Sequence, residues 1–261
     1  MLTLCDSPIS PCCMKVRLAL AEKGLDYETR AMNLGVKENL EPEYLALNPK
    51  GVVPTLIDDG IPIIESTLIN EYLDDAFPEP PLKPSDPYAR VQMRLWTKFL
   101  DEELHPANGA VIWPILSLFR LRQQDPDEVR AMLAKHPDPK RVHRQLQIFD
   151  QGLSAPVVGE GIKVFARAVE KLESALADSK YLAGSTYSLA DIALTPYVNE
   201  VMHFGLDDLA KDAPRLHDWF DRIRERSSFS AAITDKVPER QLASIAERGK
   251  EAFAEMSAHL A

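Results

Sequence analysis

The chain has 261 residues, 45% of them hydrophobic and 27% charged, which suits a globular protein of one large or two modest domains at roughly 100–200 residues each. Forty acidic against thirty basic residues give a formal charge of −10, and that balance excludes a general nucleic-acid binder, which needs a basic face for phosphates. No apolar run reaches the roughly 18–20 residues of a membrane span, and no basic leader precedes an apolar stretch at the start.

The first eighty residues predict a βαβ unit and then a ββα unit. Met1–Cys5 reads as a short strand, and Asp6–Pro11 as a Ser/Pro turn. The apolar spacing of Val16, Leu18, Ala19 and Leu20 predicts a helix that stops at Gly24. Asp26–Arg30 is a second strand and Glu41–Leu47 a short helix. The β-branched run Val52–Ile57 turns at Asp58-Asp59-Gly60 into Ile61–Ile64. A helix over Ser66–Ala76 places Leu68, Ile69, Tyr72 and Leu73 on one face.

Proline then punctuates the chain: Phe77-Pro78-Glu79-Pro80-Pro81-Leu82-Lys83-Pro84 cannot continue a helix. Residues 78–87 are therefore a linker between a domain at 1–77 and a helical domain at 88–261. In the second part Leu95, Phe99 and Glu102, then Phe165, Val169, Leu172 and Leu176, then Leu216, Trp219, Phe220 and Ile223 repeat at helical spacing. Asp125–Val158 is polar and broken by proline. Leu242, Ile245, Phe253 and Met256 predict a docked C-terminal helix.

Three places can carry chemistry. Ser10 precedes Pro11 at a helix start, where it is a natural N-cap. The unpaired amides and dipole there also favour an anion, and a hydroxyl can donate to a thiolate. Val53-Pro54 opens a strand with a residue that cannot donate to the ladder, and a cis bond there leaves the Val53 main chain open to an extended peptide. Glu65-Ser66 offers a carboxylate for an ammonium beside a capping hydroxyl for a carboxylate, the pair of charges on an amino acid. The three cysteines, Cys5, Cys12 and Cys13, crowd one end without metal-site spacing, so neither a disulfide framework nor a zinc site is expected, and the cytoplasm is the default compartment.

Those elements in that order resemble the glutathione S-transferase superfamily along essentially the whole chain. The stretches that carry the resemblance are Ser10-Pro11 through Lys23-Gly24, Asn48-Pro49-Lys50-Gly51-Val52-Val53-Pro54-Thr55-Leu56, and Ile64 through Leu73. In the helical half, Tyr181 through Ile192 resembles the family's folding motif, with Ser188 and Asp191 as a capping box and Tyr187 and Ile192 as a hydrophobic staple.

The resemblance implies an α/β thioredoxin-like N-terminal domain, with a mixed four-stranded sheet, joined to an all-α domain that supplies the electrophile pocket. It implies glutathione as co-substrate and a homodimer. Ser10 falls on the hydroxyl that holds the glutathione thiolate, and Val53, kept by a cis Pro54, on the main chain that pairs with the cysteinyl part. Glu65 and Ser66 fall on the grip for the γ-glutamyl end, and Lys37 on a partner for the glycine carboxylate. Relatives often carry Gln, Lys or Arg where this chain has Val52.

The layout resembles bacterial glutathione-dependent β-etherases, through the Glu65–Leu73 helix, the His136-Pro137-Asp138-Pro139 insertion and Lys236-Val237-Pro238-Glu239. The implied partner is an aromatic electrophile, with Trp96, Phe99, Trp113, Phe119, His203 and Phe204 as candidate pocket residues. Two other readings compete. One is thiol–disulfide exchange through Cys12 in a loop whose leading cysteine has become Ser10; the other is a non-catalytic interaction module.

Overall fold

The computed structural model describes residues 1–260. Its strands are β1 (Leu2–Asp6), β2 (Glu28–Ala31), β3 (Thr55–Asp58) and β4 (Ile61–Ile64). They form one sheet in the order β2-β1-β3-β4, with β1 and β2 parallel and both β1–β3 and β3–β4 antiparallel. Leu4 stands opposite Leu56 and Cys5 opposite Thr55 in the central pair. Three helices complete this part: α1 (Pro11–Glu22), α2 (Pro42–Leu47) and α3 (Ser66–Ala76). This is the βαβ-ββα order predicted, and the mixed sheet with helices is the thioredoxin-like arrangement that the resemblance implied.

Among the described residues after Ile64 every regular element is helical apart from an isolated bridge between Tyr181 and Gly184. The helices are α4 (Pro87–Phe99), α5 (His105–Trp113), α6 (Phe119–Leu121), α7 (Pro126–Ala134), α8 (Pro139–Gln151), α9 (Pro156–Ala175), α10 (Leu189–His203), α11 (Pro214–Arg224), α12 (Ser227–Ala232) and α13 (Glu239–Met256). Proline in the Asp125–Val158 stretch starts helices rather than merely interrupting them. Pro126, Pro139 and Pro156 each occupy a first helical position, where the missing amide hydrogen costs nothing.

The chain divides into two compact units. One comprises Met1–Lys98, Asp178–Pro196 and Asp218–Pro238; the other comprises Phe99–Ala177, Tyr197–His217 and the segment from Glu239 onward.

In the first unit, Leu4, Val16, Leu18, Leu20, Leu56, Ile69 and Leu73 are fully buried between sheet and helices. The apolar face predicted for α3 needs a correction. Ile69 and Leu73 are buried, but Leu68 is 59% exposed, and Asn70 and Asp74 turn inward instead. The reason is charge pairing: Asp74 meets the buried Lys23 ammonium at 2.7 Å and accepts from the Leu82 amide at 2.8 Å. Those bonds reward burial of Asp74, so the buried face of the helix is not the one that hydropathy alone selects. Leu95 on α4 is likewise exposed, against its predicted role in an apolar stripe.

The folding motif lies in this unit too. The Asp191 carboxylate is fully buried and accepts from the amides of Ser188 (2.9 Å) and Leu182 (3.0 Å) and from the Trp219 indole (2.9 Å). Asp191 thus makes its half of the expected capping box, while Ser188 Oγ accepts from the Ala190 amide at 3.3 Å, one residue short of the Asp191 amide, and donates to the Asp191 carboxylate at 3.1 Å.

In the second unit, Phe165, Val169 and Leu172 bury one face of α9. Helix α13 docks there by Ile245, Gly249, Ala252 and Met256. It lies close against the Phe204-Gly205 backbone: a Cβ on Gly249 would lie 1.6 Å from the Phe204 carbonyl oxygen and 3.4 Å from the Gly205 Cα, and Gly205 itself adopts φ +80°. Phe253 is only half buried, so small residues rather than the predicted aromatic seat this helix. No described helix is long and apolar enough to cross a membrane.

Candidate active site

Ser10 caps α1 as the sequence predicts. Its backbone is extended (φ −69°, ψ 120°), Pro11 occupies the first helical position, and Ser10 Oγ accepts from the Cys13 amide at 3.4 Å. No acidic residue lies in the first turn, so no carboxylate of the helix itself offsets the positive end of its dipole.

The turn leading into the cap hangs on a residue that the motif reading missed. The fully buried Arg17 guanidinium pairs with Asp6, donates to the Pro8 carbonyl at 2.8 Å and reaches the Ala232 carbonyl at 2.7 Å. A signal for it exists in the sequence: arginine interrupting the apolar run Val16–Leu20 needs a buried counter-ion, and Asp6 closes the preceding strand.

The cysteines beside Ser10 differ. Cys13 is fully buried, and burial first, then the Asp6 charge, push its thiol well above the ordinary range. The Ser7 amide donates to its sulfur at 3.4 Å. Cys12 is only partly buried. No two cysteines are bridged, and no group of His, Cys, Asp or Glu among the described residues could hold a metal ion.

The second element is the loop from Asn48 to Pro54. The Val53-Pro54 peptide is cis. Contrary to the β-branched run in the sequence, Val52 and Val53 lie outside the strand, which begins at Thr55. Side chains, not a ladder, hold this loop. The Val52 carbonyl accepts from the Tyr44 hydroxyl (2.7 Å) and from Asn48 Nδ2 (2.9 Å), and Asn39 Nδ2 donates to the Gly51 carbonyl at 2.6 Å. Among the described residues the amide and carbonyl of Val53 enter no backbone turn or loop bond. Its side chain packs in one cluster with Cys5, Cys13, Met32 and Tyr44, which ties this loop to the start of α1. Lys37 adopts a left-handed conformation (φ 67°) two residues before Asn39, on the neighbouring turn.

At the third element the capping assignment changes. Glu65, not Ser66, takes the cap position, with φ 71° and no side-chain cap bond, and Ser66 becomes the first helical residue, buried at 8% exposure. A non-glycine residue in this region is strained by roughly 1–3 kcal/mol, and such positions cluster at functional sites. Glu65 Oε1 lies 2.7 Å from Lys50 Nζ, a partner that the motif reading did not single out. Next to it, Thr67 Oγ1 accepts from Lys15 Nζ at 3.2 Å, so the first turn of α3 is bonded to α1. Ser10, Val53, Glu65 and Ser66 thus stand on helix starts and a loop that named contacts link within one unit.

The aromatic candidates differ in burial. Trp96 is buried and spends its indole donor on the Leu182 carbonyl at 2.9 Å, and Phe204 is fully buried, so both are core. Phe99 is 9% exposed under the Lys171 ammonium, 3.9 Å from its ring centre. Phe119 and His203 are exposed, and Trp113 is half-buried.

The glutathione S-transferase N-terminal domain matches residues 4–81, and the glutathione S-transferase C-terminal domain matches residues 139–222. Protein LigF of Sphingobium sp. strain SYK-6 is 30% identical over 222 residues, 83% of this chain and 86% of that protein. Maleylacetoacetate isomerase of Pseudomonas aeruginosa is 32% identical over 229 residues, 86% of this chain and 92% of that protein. The crystal structure of the β-etherase LigF from Sphingobium sp. strain SYK-6 matches with a TM-score of 0.82 at 29% identity, covering 90% of this chain and 99% of that one. With both parts matched and relatives of this identity aligned along most of their length, the chain belongs to the glutathione S-transferase family, whose co-substrate is glutathione.

Proposed function

We propose that the chain is a glutathione transferase in which Ser10 holds the glutathione thiolate for attack on an aromatic electrophile, and that the electrophile is a β-aryl ether. The observation that carries the reading is Ser10 itself: a hydroxyl at the N-terminus of α1, with its own amide bonded to the Ser7 carbonyl and no carboxylate in the first turn to compete for the positive end of the helix. The residues fit a peptide co-substrate. The Val53 main chain offers one donor and one acceptor, Glu65 suits an ammonium, and Ser66 sits at a helix start suited to a carboxylate. Lys37 is assigned to the glycine carboxylate.

In the reaction the thiolate attacks the carbon that bears the aryloxy group. A C–S bond forms as the C–O bond breaks, and its electron pair leaves on the phenolate. The likeness to a β-etherase supports the ether as substrate. On this reading residues 1–77 bind glutathione, 78–87 link, and 88–261 supply the electrophile pocket. The cytoplasm is the proposed compartment, in keeping with unbridged cysteines.

A homodimer belongs to the proposal. Tyr88, Val91 and Leu95 form an exposed apolar stripe along α4, and the exposed Leu68 lies on α3, which the paired Arg94 and Glu71 join to α4. An exposed apolar patch with a polar surround suits a second protein surface.

The thiol–disulfide reading is weakened by Cys13, buried with a raised thiol and so unsuited to resolving a mixed disulfide. Turnover of β-aryl ether dimers beside a chlorinated aromatic, for the wild type and Ser10→Ala, tests the proposal. The expected result is release of the phenol and formation of the glutathione thioether by the wild type, strongly reduced in the variant. Ether turnover by neither protein rejects the substrate, and unchanged turnover in Ser10→Ala rejects the role of the serine.

A further inference from the structure

The carboxylate proposed to receive the ligand's ammonium already holds one. Lys50 Nζ lies 2.7 Å from Glu65 Oε1, with side chains 60% and 44% exposed. The Lys50 backbone is fixed, since its amide donates to Asn48 Oδ1 at 3.1 Å and the Gly51 amide to the Asn48 carbonyl at 3.0 Å. Its side chain is long and mostly in water. An ion pair this exposed is weak, because water screens it, so an incoming ammonium can replace Lys50 at little cost.

Resting on the functional reading above, the exchange has a second half. Glutathione carries one ammonium and two carboxylates, so it brings an excess of negative charge to a place where a lysine has just lost its partner. Lys50 is the one charged residue in the segment from Asn48 to Val53, and neither Val52 nor Val53 has a polar side chain to serve a carboxylate. We infer that Lys50 is an exchangeable cation of the binding site: the ligand's ammonium displaces it from Glu65, and Lys50 then pairs with a carboxylate of the same ligand. One internal ion pair is replaced by two across the interface. The arrangement selects for a zwitterionic peptide over a simple thiol, because only a ligand with both charges completes the exchange.

The test is a set of dissociation constants measured by calorimetry for wild type, Lys50→Met and Lys50→Arg. The ligands are glutathione, its glycine ethyl ester, and 4-aminobutyryl-cysteinyl-glycine, which lacks only the α-carboxylate of the glutamyl end. In the wild type, removal of the carboxylate that Lys50 serves weakens binding about tenfold, as expected for a charged hydrogen bond. In Lys50→Met that loss disappears for the same ligand, and in Lys50→Arg it persists. Whichever ligand shows the change identifies the carboxylate. A merely structural lysine moves all three ligands together. Losses of equal size in wild type and Lys50→Met, or no loss with either analogue, overturn the inference. Failure of the wild type to bind glutathione at all overturns the functional reading instead.

Discussion

The Lys15 ammonium, buried on the second turn of α1, donates to the Thr67 hydroxyl in the first turn of α3 at 3.2 Å. The bond is reinforced by Asn70 Nδ2, which donates to the Lys15 carbonyl at 3.3 Å. Two helix starts that each carry proposed binding groups are thereby held at a fixed spacing. Lys15→Met keeps the side-chain volume and removes the polar contact. Steady-state kinetics should show KM for glutathione rising about fivefold with kcat little changed, the effect of roughly 1 kcal/mol in binding. An unchanged KM shows that the spacing does not depend on this bond.

Ser10→Ala should lower kcat/KM for the conjugation 10- to 100-fold, in line with roughly 1.5–3 kcal/mol for a hydrogen bond to an ionised group. The pH–rate profile should move with it. Without the hydroxyl, the bound thiol ionises at higher pH, so the acid limb shifts upward. Cys12→Ser should leave both quantities alone; loss of activity there, with Ser10→Ala intact, favours the exchange chemistry.

Alkaline pH should destabilise the protein through Tyr44. Its phenol is buried, and desolvation pushes it from 10.0 up to about 12, although Thr55 and Asn48 bonds oppose the shift. The folded state therefore holds this proton more tightly than the unfolded chain. The stabilising contribution is complete below pH 10 and is lost as pH rises toward 12, roughly 2–3 kcal/mol in all. Cys13, raised by burial, acts in the same sense above pH 9. Urea unfolding at pH 8 and pH 11 measures the slope, and Tyr44→Phe should flatten it. The same variant frees the Val52 carbonyl of one donor, which should loosen the loop before Val53.

Asp191→Ala should cost about 3 kcal/mol or more in a thermal or denaturant melt. It leaves the amides of Leu182 and Ser188 and the Trp219 indole buried without their acceptor. The effect belongs to stability, so kcat measured on the remaining folded protein should change little. A variant of wild-type stability contradicts the structural role given to this carboxylate.

The sequence by itself determined the elements and their order, because those are set by interactions between near neighbours. Ser10-Pro11 marks a helix start by cap geometry, Gly24 ends that helix at φ +61°, and Asp58-Asp59-Gly60 turns β3 into β4. The Ser188–Asp191 cap was legible for the same reason, its partners lying three residues apart. Tertiary structure decided what depends on residues distant along the chain. Asp74 turned α3 inward toward Lys23, which exposed Leu68; Arg17 settled the turn before Ser10 by reaching Ala232; and Lys50 found Glu65. Hydropathy ranks each residue alone, whereas a buried charge is stable only beside its partner, and no periodicity in the chain records which distant partner the fold brings near.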